Sequence, residues 1–359
     1  MANGYFQYMN YFPEPAVLQN RLGHLLDTLM TLDLNLVGKI TRLHDAAAQA
    51  AGGASLTVPA AAALLGRLRS GDHVVFVTGC AVRPGLVPWL GEPDGPCGVA
   101  ALARALYLAT GAISTVVIST PLAPQAQAAL RSAGATVVDQ AMLDAVAAQP
   151  RVTFCATVQP FSPDTDHGPA MTALIDRLRP AAVLSVEHLG RASDGQAYFS
   201  TGVPFPGDVL RSDPLFGRAA EQGALLLSCL DNANEAGTAA LHDPAHDHFP
   251  PIARAFDHVL PGTTANWAAY ALTAALAALA GRPDATVDGR FDMDGVTATL
   301  AAGAIDPFGG FADRHAGTDT IEGHYHGLVV DLMARAAHGF IDARRFTDSR
   351  FTDSRGADT

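Results

Sequence analysis

The chain has 359 residues, of which 49% are apolar and 16% charged, and this composition predicts a compact globule with one large core or two modest ones. The formal net charge of -12 argues against nucleic acid as a partner, because phosphate backbones are bound by clustered lysine and arginine. The four cysteines form no CxxC pair, which is typical of a reduced compartment. We expect a cytoplasmic protein without a membrane partner, since the sequence has no secretion signal and no sufficiently long apolar run.

The first predicted element is an amphipathic helix. Leucines recur in steps of three and four between residues 17 and 43, which predicts one helix or two in line. We expect this segment to pack on the main domain, although a seam of leucines also suits contacts between subunits, and a homo-oligomer is expected. Residues 46–63 are predicted to be a connection before a short helix at 60–69, so that residues 1–70 form an N-terminal helical arm.

Buried strands then alternate with helices along the chain. The predicted strands are 74–78, 113–119, 136–138, 152–157, 182–186 and 224–229, and the intervening helices are 98–109, 124–132, 142–148, 170–179 and 214–221. Three more helices are predicted at 265–280, 295–302 and 322–340. This order predicts an α/β fold with a mostly parallel open sheet, helices on both faces and a helical C-terminal part. The main domain is placed at 71–343, and the repeated FTDSR segment places 344–359 in a disordered tail.

The loop after the first predicted strand is the main candidate for function. It begins at Thr78-Gly79 and carries Glu92, Asp94 and Gly95 just before a helix. Asp94 alone is explained as a cap of that helix, but this leaves Glu92 and the glycines without a role. Loops at the carboxyl ends of parallel strands, beside helix N-termini, are where α/β proteins bind anionic ligands.

Further loops carry acids, amides, arginine or histidine. These residues are Glu187, Arg191, Asp194, Gly195, Asp231, Asn232, Asn234, Glu235, Asp257, His258, Asn266, Trp267, Asp306, His315, Glu322 and His326. We expect several of these loops to converge at one edge of the sheet. We expect Arg191 to bind a substrate carboxylate, because a guanidinium forms two hydrogen bonds to a carboxylate. Trp267 is expected to pack a helix onto the sheet, and only one of His324 and His326 is expected to point inward.

Metal binding is a further expectation. Clustered carboxylate and amide oxygens suit Mg²⁺ or Mn²⁺, with Asp231 and Glu235 as the expected ligands. The tract HDPAHDH at 242–248 suits a softer metal, but its composition favours a solvated loop. No GxxxxGK[ST] motif is present, so a nucleotide is not expected.

Taken together and in this order, the motifs resemble the D-glutamate cyclase family. That family carries a TG…GETDGP loop, an ExxGRxxDGxYY segment, a GDGGNEIGMG loop and an SNWGGYAL helix. The matching stretches are Thr78-Gly79 with GEPDGP at 91–96, EHLGRASDGQAY at 187–198, LDNANEAG at 230–237 and TANWAAYAL at 264–272. The similarity extends from about Val74 to Leu332.

The resemblance implies an α/β fold and closure of free glutamate to 5-oxoproline with loss of water. We expect catalytic roles for Glu92, Asp94, Asp231 and Glu235. We expect substrate contacts from Thr78, Gly79, Gly95, Glu187, Arg191, Asp194, Asn234 and Asn266. Pro93 replaces a threonine and the third loop loses three glycines, which reshapes the pocket and points to a related amino acid as substrate.

The same chemistry follows from the residue types. Lactam formation requires a base beside the ammonium, an acid or cation beside the leaving oxygen, and a folded substrate. We therefore expect a lyase, a cyclising dehydratase that acts on glutamate or a related amino acid. The alternatives are a lyase or hydratase on a small amino acid in the same pocket, or a non-catalytic ligand-binding protein.

Overall fold

The structure is a computed structural model that describes residues 14–353, apart from residues 54, 84, 88, 150, 208 and 309–316 and the side chains of 347–353. The helices are α1 Pro15–Met30, α2 Lys39–Ala50, α3 Thr57–Arg67, α4 Pro96–Thr110, α5 Ala123–Ser132, α6 Gln140–Ala147, α7 Gly168–Leu178, α8 Asp213–Glu221, α9 Ala265–Ala280, α10 Gly289–Ala301 and α11 Gly323–Asp353. The strands are β1 His73–Thr78, β2 Ile113–Ser119, β3 Thr136–Val137, β4 Cys155–Phe161, β5 Ala182–Val186, β6 Leu225–Leu230 and β7 His258–Pro261.

The seven strands form one open sheet in the order β3-β4-β2-β1-β5-β6-β7. Every pairing is parallel, which confirms the predicted fold class. From β1 the chain first builds the sheet toward β3 and then returns to add β5, β6 and β7 on the other side. The strand order therefore reverses between β1 and β5, and the carboxyl ends of these two strands border a crevice.

Apolar cores cover both faces of the sheet. The side chains of Val74 and Phe76 point to one face, where they join α1, α3, α4, α9 and α11 in the larger core. Val75 and Val77 point to the other face and pack with α7 and α8. This alternation follows from the two-residue period of a strand, and burial on both faces explains the continuous Val and Phe run of β1.

The N-terminal leucine pattern forms two helices rather than one. Helix α1 ends at Met30, and α2 begins at Lys39 after an eight-residue break that contains Leu36 in a left-handed conformation. Leu18, Leu22, Leu26 and Leu29 are buried in the main core, as expected for a helix clamped on the domain. The segment 46–63, predicted as a connection, is largely occupied by the ends of α2 and α3.

The structure differs from the prediction mainly at short or capped elements. Strand β7 was missed because its four residues end in Pro261, which leaves too short an apolar run. Strand β4 begins at Cys155 rather than at 152, and α10 begins earlier than predicted because Asp288 caps it. Helix α11 continues to Asp353, past the predicted domain end at residue 343. Within the described residues, no helix combines the length and apolarity that crossing a membrane requires.

Candidate active site

Backbone hydrogen bonds join the loops that leave β1, β5 and β6. Thr78 is in register with Val186, the last residue of β5. One residue further, the Gly79 N–H donates to the Glu187 carbonyl at 3.1 Å, and the Glu187 N–H donates to the Cys229 carbonyl at 3.2 Å. These bonds place the start of each functional loop at the crevice where the strand order reverses.

Four carboxylates, Glu92, Glu187, Asp231 and Glu235, form what we call the acidic cluster. Oxygen atoms of Glu187, Asp231 and Glu235 lie within 4.8 Å of one another. The Cys80 Sγ and oxygens of Glu92 and Glu187 lie within the same distance of one another, so Glu187 belongs to both groups. All four carboxylate residues are buried. The structure thus brings together acids that lie far apart in the sequence, between residues 92 and 235.

Two oxygens of the cluster have no hydrogen-bond partner among the described residues, namely Oε2 of Glu187 and Oε2 of Glu235. The other oxygen of Glu235 accepts hydrogen bonds from the backbone N–H groups of Asp231 at 2.9 Å and Asn232 at 2.8 Å, which fixes the side chain. Buried polar atoms are normally paired, because an unpaired one costs roughly 1–3 kcal/mol. The two unpaired oxygens therefore indicate a place for a ligand.

Burial also changes the proton affinity of these groups. Burial, followed by the charges of neighbouring carboxylates, raises the pKa of Glu92, Glu187 and Glu235 well above the ordinary value. Asp231 contributes to all three shifts. A raised pKa favours the protonated form of a carboxyl group, so the cluster can offer both acids and bases.

Glu187 is held in a strained backbone conformation. Its φ of 46° lies in the left-handed region, which costs a non-glycine residue of order 1–3 kcal/mol. Gly95 lies against it, because a Cβ at Gly95 would be 2.8 Å from the Glu187 Cβ and 2.6 Å from the Thr78 Oγ1. Close packing between the loops after β1 and β5 therefore requires glycine at position 95.

Asp94 and Asn266 act as caps of two helices. The Asp94 carboxylate accepts hydrogen bonds from the N–H groups of Ala265 and Asn266 at the start of α9, rather than capping its own helix. Burial and then the charge of Asp231 raise the pKa of Asp94 to about 7, against the opposing effect of these hydrogen bonds. The contacts of both Asp94 oxygens are with backbone groups.

Two charged residues at the cluster were not identified from the sequence. Lys39 Nζ lies 3.3 Å from Asp231 Oδ2 and donates to Asn232 Oδ1 at 2.7 Å. Burial alone would lower the pKa of Lys39, but Asp231 and then Asp319 reverse this effect, and the net shift is upward. Lys39 is the only lysine of the chain, and this feature of the composition could have identified it as a candidate. Asp319, half-buried in the loop before α11, has no local signal of this kind.

Two cavities lie near the cluster, and the second is lined by one of its four residues, Asp231. A cavity of about 390 Å³ is lined by Gly79, Cys80 and His188 at the ends of β1 and β5. A second, of about 330 Å³, is lined by Lys39, Asp231 and Asp319. Both volumes are typical of small-molecule sites.

The second cavity also contacts the break between α1 and α2 through Asp33 and Asn35. The N-terminal arm is therefore part of the site.

The segment after Glu187 carries Arg191 and Asp194, two of the expected substrate-binding residues, and both make contacts within the protein. Arg191 donates to the Gly195 carbonyl and lies 4.0 Å from Asp213, and Asp194 is exposed and bonded within its own loop. Asn234 is buried and donates to the Tyr198 carbonyl at 2.8 Å. Of these three residues, Asn234 alone shares the buried loop of the acidic cluster.

The histidine-containing segments have structural contacts. In the tract 242–248, His246 and Asp247 fold back on Asp243. Arg42 of α2 donates to Asp247 at 2.9 Å. Within the described residues, the tract is not among the groups with metal-ligand spacing.

Near the C-terminus, His326 is buried and His324 exposed, in agreement with the prediction that only one points inward. His326 accepts a hydrogen bond from the buried Trp267 at 2.9 Å, and Trp267 packs its helix into the core as expected. His315 lies outside the described residues.

Two groups of described residues could hold a metal ion. One is Glu187, Asp231 and Glu235, and the other is Cys80, Glu92 and Glu187. The first group consists of oxygen ligands alone and includes the two unpaired oxygens, so it fits a hard divalent cation better.

Comparison with known proteins identifies the family of the chain. Among curated proteins, none matches the sequence significantly. A family model described as D-glutamate cyclase-like, C-terminal, matches residues 27–332. The match covers well over half of the chain and includes both Lys39 of the N-terminal arm and the whole acidic cluster. The chain therefore belongs to the D-glutamate cyclase-like, C-terminal family.

Proposed function

We propose that this protein is a lyase that closes glutamate, or a closely related amino acid, to a lactam with loss of water. The observation that carries the proposal is the acidic cluster at the ends of β1, β5 and β6, with two unpaired buried oxygens and a lysine at its edge. Membership of the D-glutamate cyclase-like family supports the same reaction.

The reaction requires two opposite proton transfers. The substrate ammonium must lose its proton before its nitrogen can attack the side-chain carboxyl carbon. As the C–N bond forms and a C–O bond breaks, the protons lost by nitrogen leave with oxygen as water. A positioned base and a positioned acid each accelerate such a step by roughly 10²–10⁴-fold.

The cluster contains groups suited to both transfers. We assign Asp231 as the base, because it lies at the edge of the cluster and lines a cavity. We assign Glu187 and Glu235 as the acids, since burial raises the pKa of both and each has an unpaired oxygen available to the substrate carboxyl. Glu92 is adjacent to Glu187, and its charge also raises the pKa of Glu187 and so supports the protonated form.

The remaining predicted residues then position these groups. Asp94 and Asn266 hold the loops by capping α9 and α4, and Gly95 allows Glu187 to approach Thr78. We propose that Asn234 and Thr78 orient the substrate, because Asn234 Oδ1 and Thr78 Oγ1 are buried without a partner among the described residues.

A divalent cation would replace the two acids rather than act beside them, because carboxylates that hold a metal ion are ionised. Glu187, Asp231 and Glu235 would hold Mg²⁺ or Mn²⁺, which would polarise the substrate carboxyl oxygen. We expect EDTA-treated protein to bind Mn²⁺ and to release protons as it binds, because ligands with a raised pKa must ionise. Calorimetry in two buffers of different ionisation enthalpy measures both effects. Loss of Mn²⁺ binding in Glu235→Gln would support the assignment of these three residues as ligands. The control Asp194→Asn changes an exposed carboxylate and should keep Mn²⁺ binding.

The direct test is a search for the product. Purified protein is incubated with D-glutamate, L-glutamate and chain-length analogues, with and without Mn²⁺, and products are analysed by mass spectrometry. We expect a product that is lighter by one water and no longer reacts with a primary-amine reagent. A product that has lost water but keeps its amine would indicate elimination instead. Ligand-induced thermal stabilisation without any product would indicate a non-catalytic binding protein.

A further inference from the structure

The acidic cluster accounts for the ammonium and the reacting carboxyl of an amino acid, but not for its second carboxylate. A buried anion requires a cation or hydrogen-bond donors, because removing it from water is otherwise costly. Arg191, the expected partner, is directed to Gly195 and Asp213. A cation in contact with the acidic cluster is therefore the better candidate to bind the second carboxylate.

Lys39 lies next to the position where we expect the second carboxylate to bind. Its ammonium is 3.3 Å from Asp231 Oδ2 and 2.7 Å from Asn232 Oδ1. An ammonium has three donors, and these contacts account for two of them. The side chain is half-buried, with 35% of its surface exposed, and it lines the cavity shared with Asp231 and Asp319.

The spacing of these charges matches an amino acid. The ammonium and the α-carboxylate of an amino acid are attached to the same carbon, so the groups that bind them must be neighbours. Lys39 and Asp231 are in direct contact, one positive and one negative. An amino acid in this cavity can direct its ammonium to Asp231 and its α-carboxylate to Lys39, while its side chain extends toward Glu187 and Glu235.

We propose that Lys39 is the substrate-binding residue that receives the α-carboxylate, and that the N-terminal arm thereby selects α-amino acids over simple amines. This inference rests on the proposed function. It makes the break between α1 and α2 part of the specificity of the enzyme, since the helix that begins at residue 39 positions the lysine. The alternative role of Lys39 is structural, as a counter-ion that only neutralises Asp231.

A pair of ligands separates the two roles. D-glutamate and 4-aminobutyrate carry the same amine and reacting carboxylate, but 4-aminobutyrate lacks the α-carboxylate. We expect the wild-type protein to bind D-glutamate at least about tenfold more tightly than 4-aminobutyrate, as measured by calorimetry. In Lys39→Met this preference should disappear, and in Lys39→Arg it should be largely kept. The control Arg290→Met removes one exposed positive charge and should leave the preference unchanged.

The single lysine permits a second measurement on the unaltered protein. An acetylating reagent modifies Lys39 as the only lysine side chain of the chain, and peptide mass spectrometry quantifies the modification. We expect D-glutamate to slow acetylation of Lys39 and 4-aminobutyrate to have little effect. This readout does not depend on how well a variant folds.

The outcomes are distinguishable. If D-glutamate binds but Lys39→Met keeps the wild-type preference, or if both ligands protect Lys39 equally, the inference is wrong and the proposed function stands. If neither D-glutamate, L-glutamate, their chain-length analogues nor 4-aminobutyrate binds the wild-type protein, both the inference and the proposed function are overturned.

Discussion

Asp94 and Asn266 cap each other's helices. Asp94 Oδ1 accepts a hydrogen bond from the Asn266 N–H at 2.7 Å, and Asn266 Oδ1 accepts hydrogen bonds from the Gly95 and Gly98 N–H groups at 3.0 and 2.7 Å. The starts of α4 and α9 are thus joined by side chains that satisfy the N–H groups of the opposite helix. This reciprocal arrangement fixes the loop that carries Glu92.

Substitution of Asn266 tests this arrangement. Asn266→Ala removes two acceptor contacts and leaves buried N–H groups unpaired, so we expect it to lower the free energy of unfolding by about 2 kcal/mol. Urea denaturation measures the change. As a comparison, Asp288→Ala removes one exposed cap of α10, with an expected loss of about 1 kcal/mol or less. A wild-type unfolding midpoint for Asn266→Ala would show that the reciprocal caps contribute nothing.

Gly95 offers a test of close packing beside Glu187. A Cβ at this position would lie 2.6 Å from Thr78 Oγ1 and 3.0 Å from the Val186 carbonyl, in addition to its contact with Glu187. Gly134 has a similar φ of 88°, but a Cβ there would meet nothing within 4 Å beyond its chain neighbours. Gly134→Ala therefore measures backbone strain alone.

We expect Gly134→Ala to cost about 1 kcal/mol of stability and Gly95→Ala to cost about 1–3 kcal/mol more. Gly95→Ala should also abolish turnover, because Glu187 must move. Equal losses of stability in the two variants would contradict the packing argument.

The dependence of stability on pH follows from the buried acids. The folded protein raises the pKa of Glu187 well above its ordinary value of 4.5, so the native state holds more protons than the unfolded state above that pH. Stability contributed by the protonated form is therefore lost as pH rises through the shifted pKa.

We expect the free energy of unfolding of EDTA-treated protein to decrease as pH rises above about 4.5, the ordinary pKa of a glutamate carboxyl group. In Glu187→Gln the decrease should be less steep, by up to about 1.4 kcal/mol per pH unit. Urea denaturation at several pH values measures both slopes. The control Glu221→Gln changes a carboxylate on α8 that is exposed, and its slope should equal that of the wild type. A Glu187→Gln slope equal to the wild type would refute the proposed proton uptake.

Turnover should depend on the carboxylates of the acidic cluster and not on the exposed Asp194. We expect Glu187→Gln and Asp231→Asn each to lower turnover of the accepted substrate by about 100-fold or more, because each removes a proton-transfer group. Asp194→Asn should change turnover by no more than about threefold, since Asp194 is exposed and bonded within its own loop. Product formation followed by mass spectrometry provides the rates, and thermal unfolding confirms that each variant is folded.

Much of the fold could be predicted from local pattern. Continuous apolar runs such as Val74–Val77 indicate strands that are buried on both faces of a sheet. Because these strands alternate with helices at regular spacing, a parallel sheet could be predicted. Strand β7 and the position of the break after Met30 could not be predicted, because a four-residue strand and a short irregular segment have almost no periodicity.

For the site, hydrophobic pattern was sufficient to identify which loops carry acids and amides, because the ends of strands can be located from it. The contacts that these residues make depend on the folded chain. Folding directs Asp94 and Asn266 to helix caps, turns Arg191 toward Asp213, and brings Lys39 against Asp231. The physical reason is that hydrogen bonding and charge pairing act over a few ångströms in space, and residues 39 and 231 become neighbours only when the arm folds over the sheet.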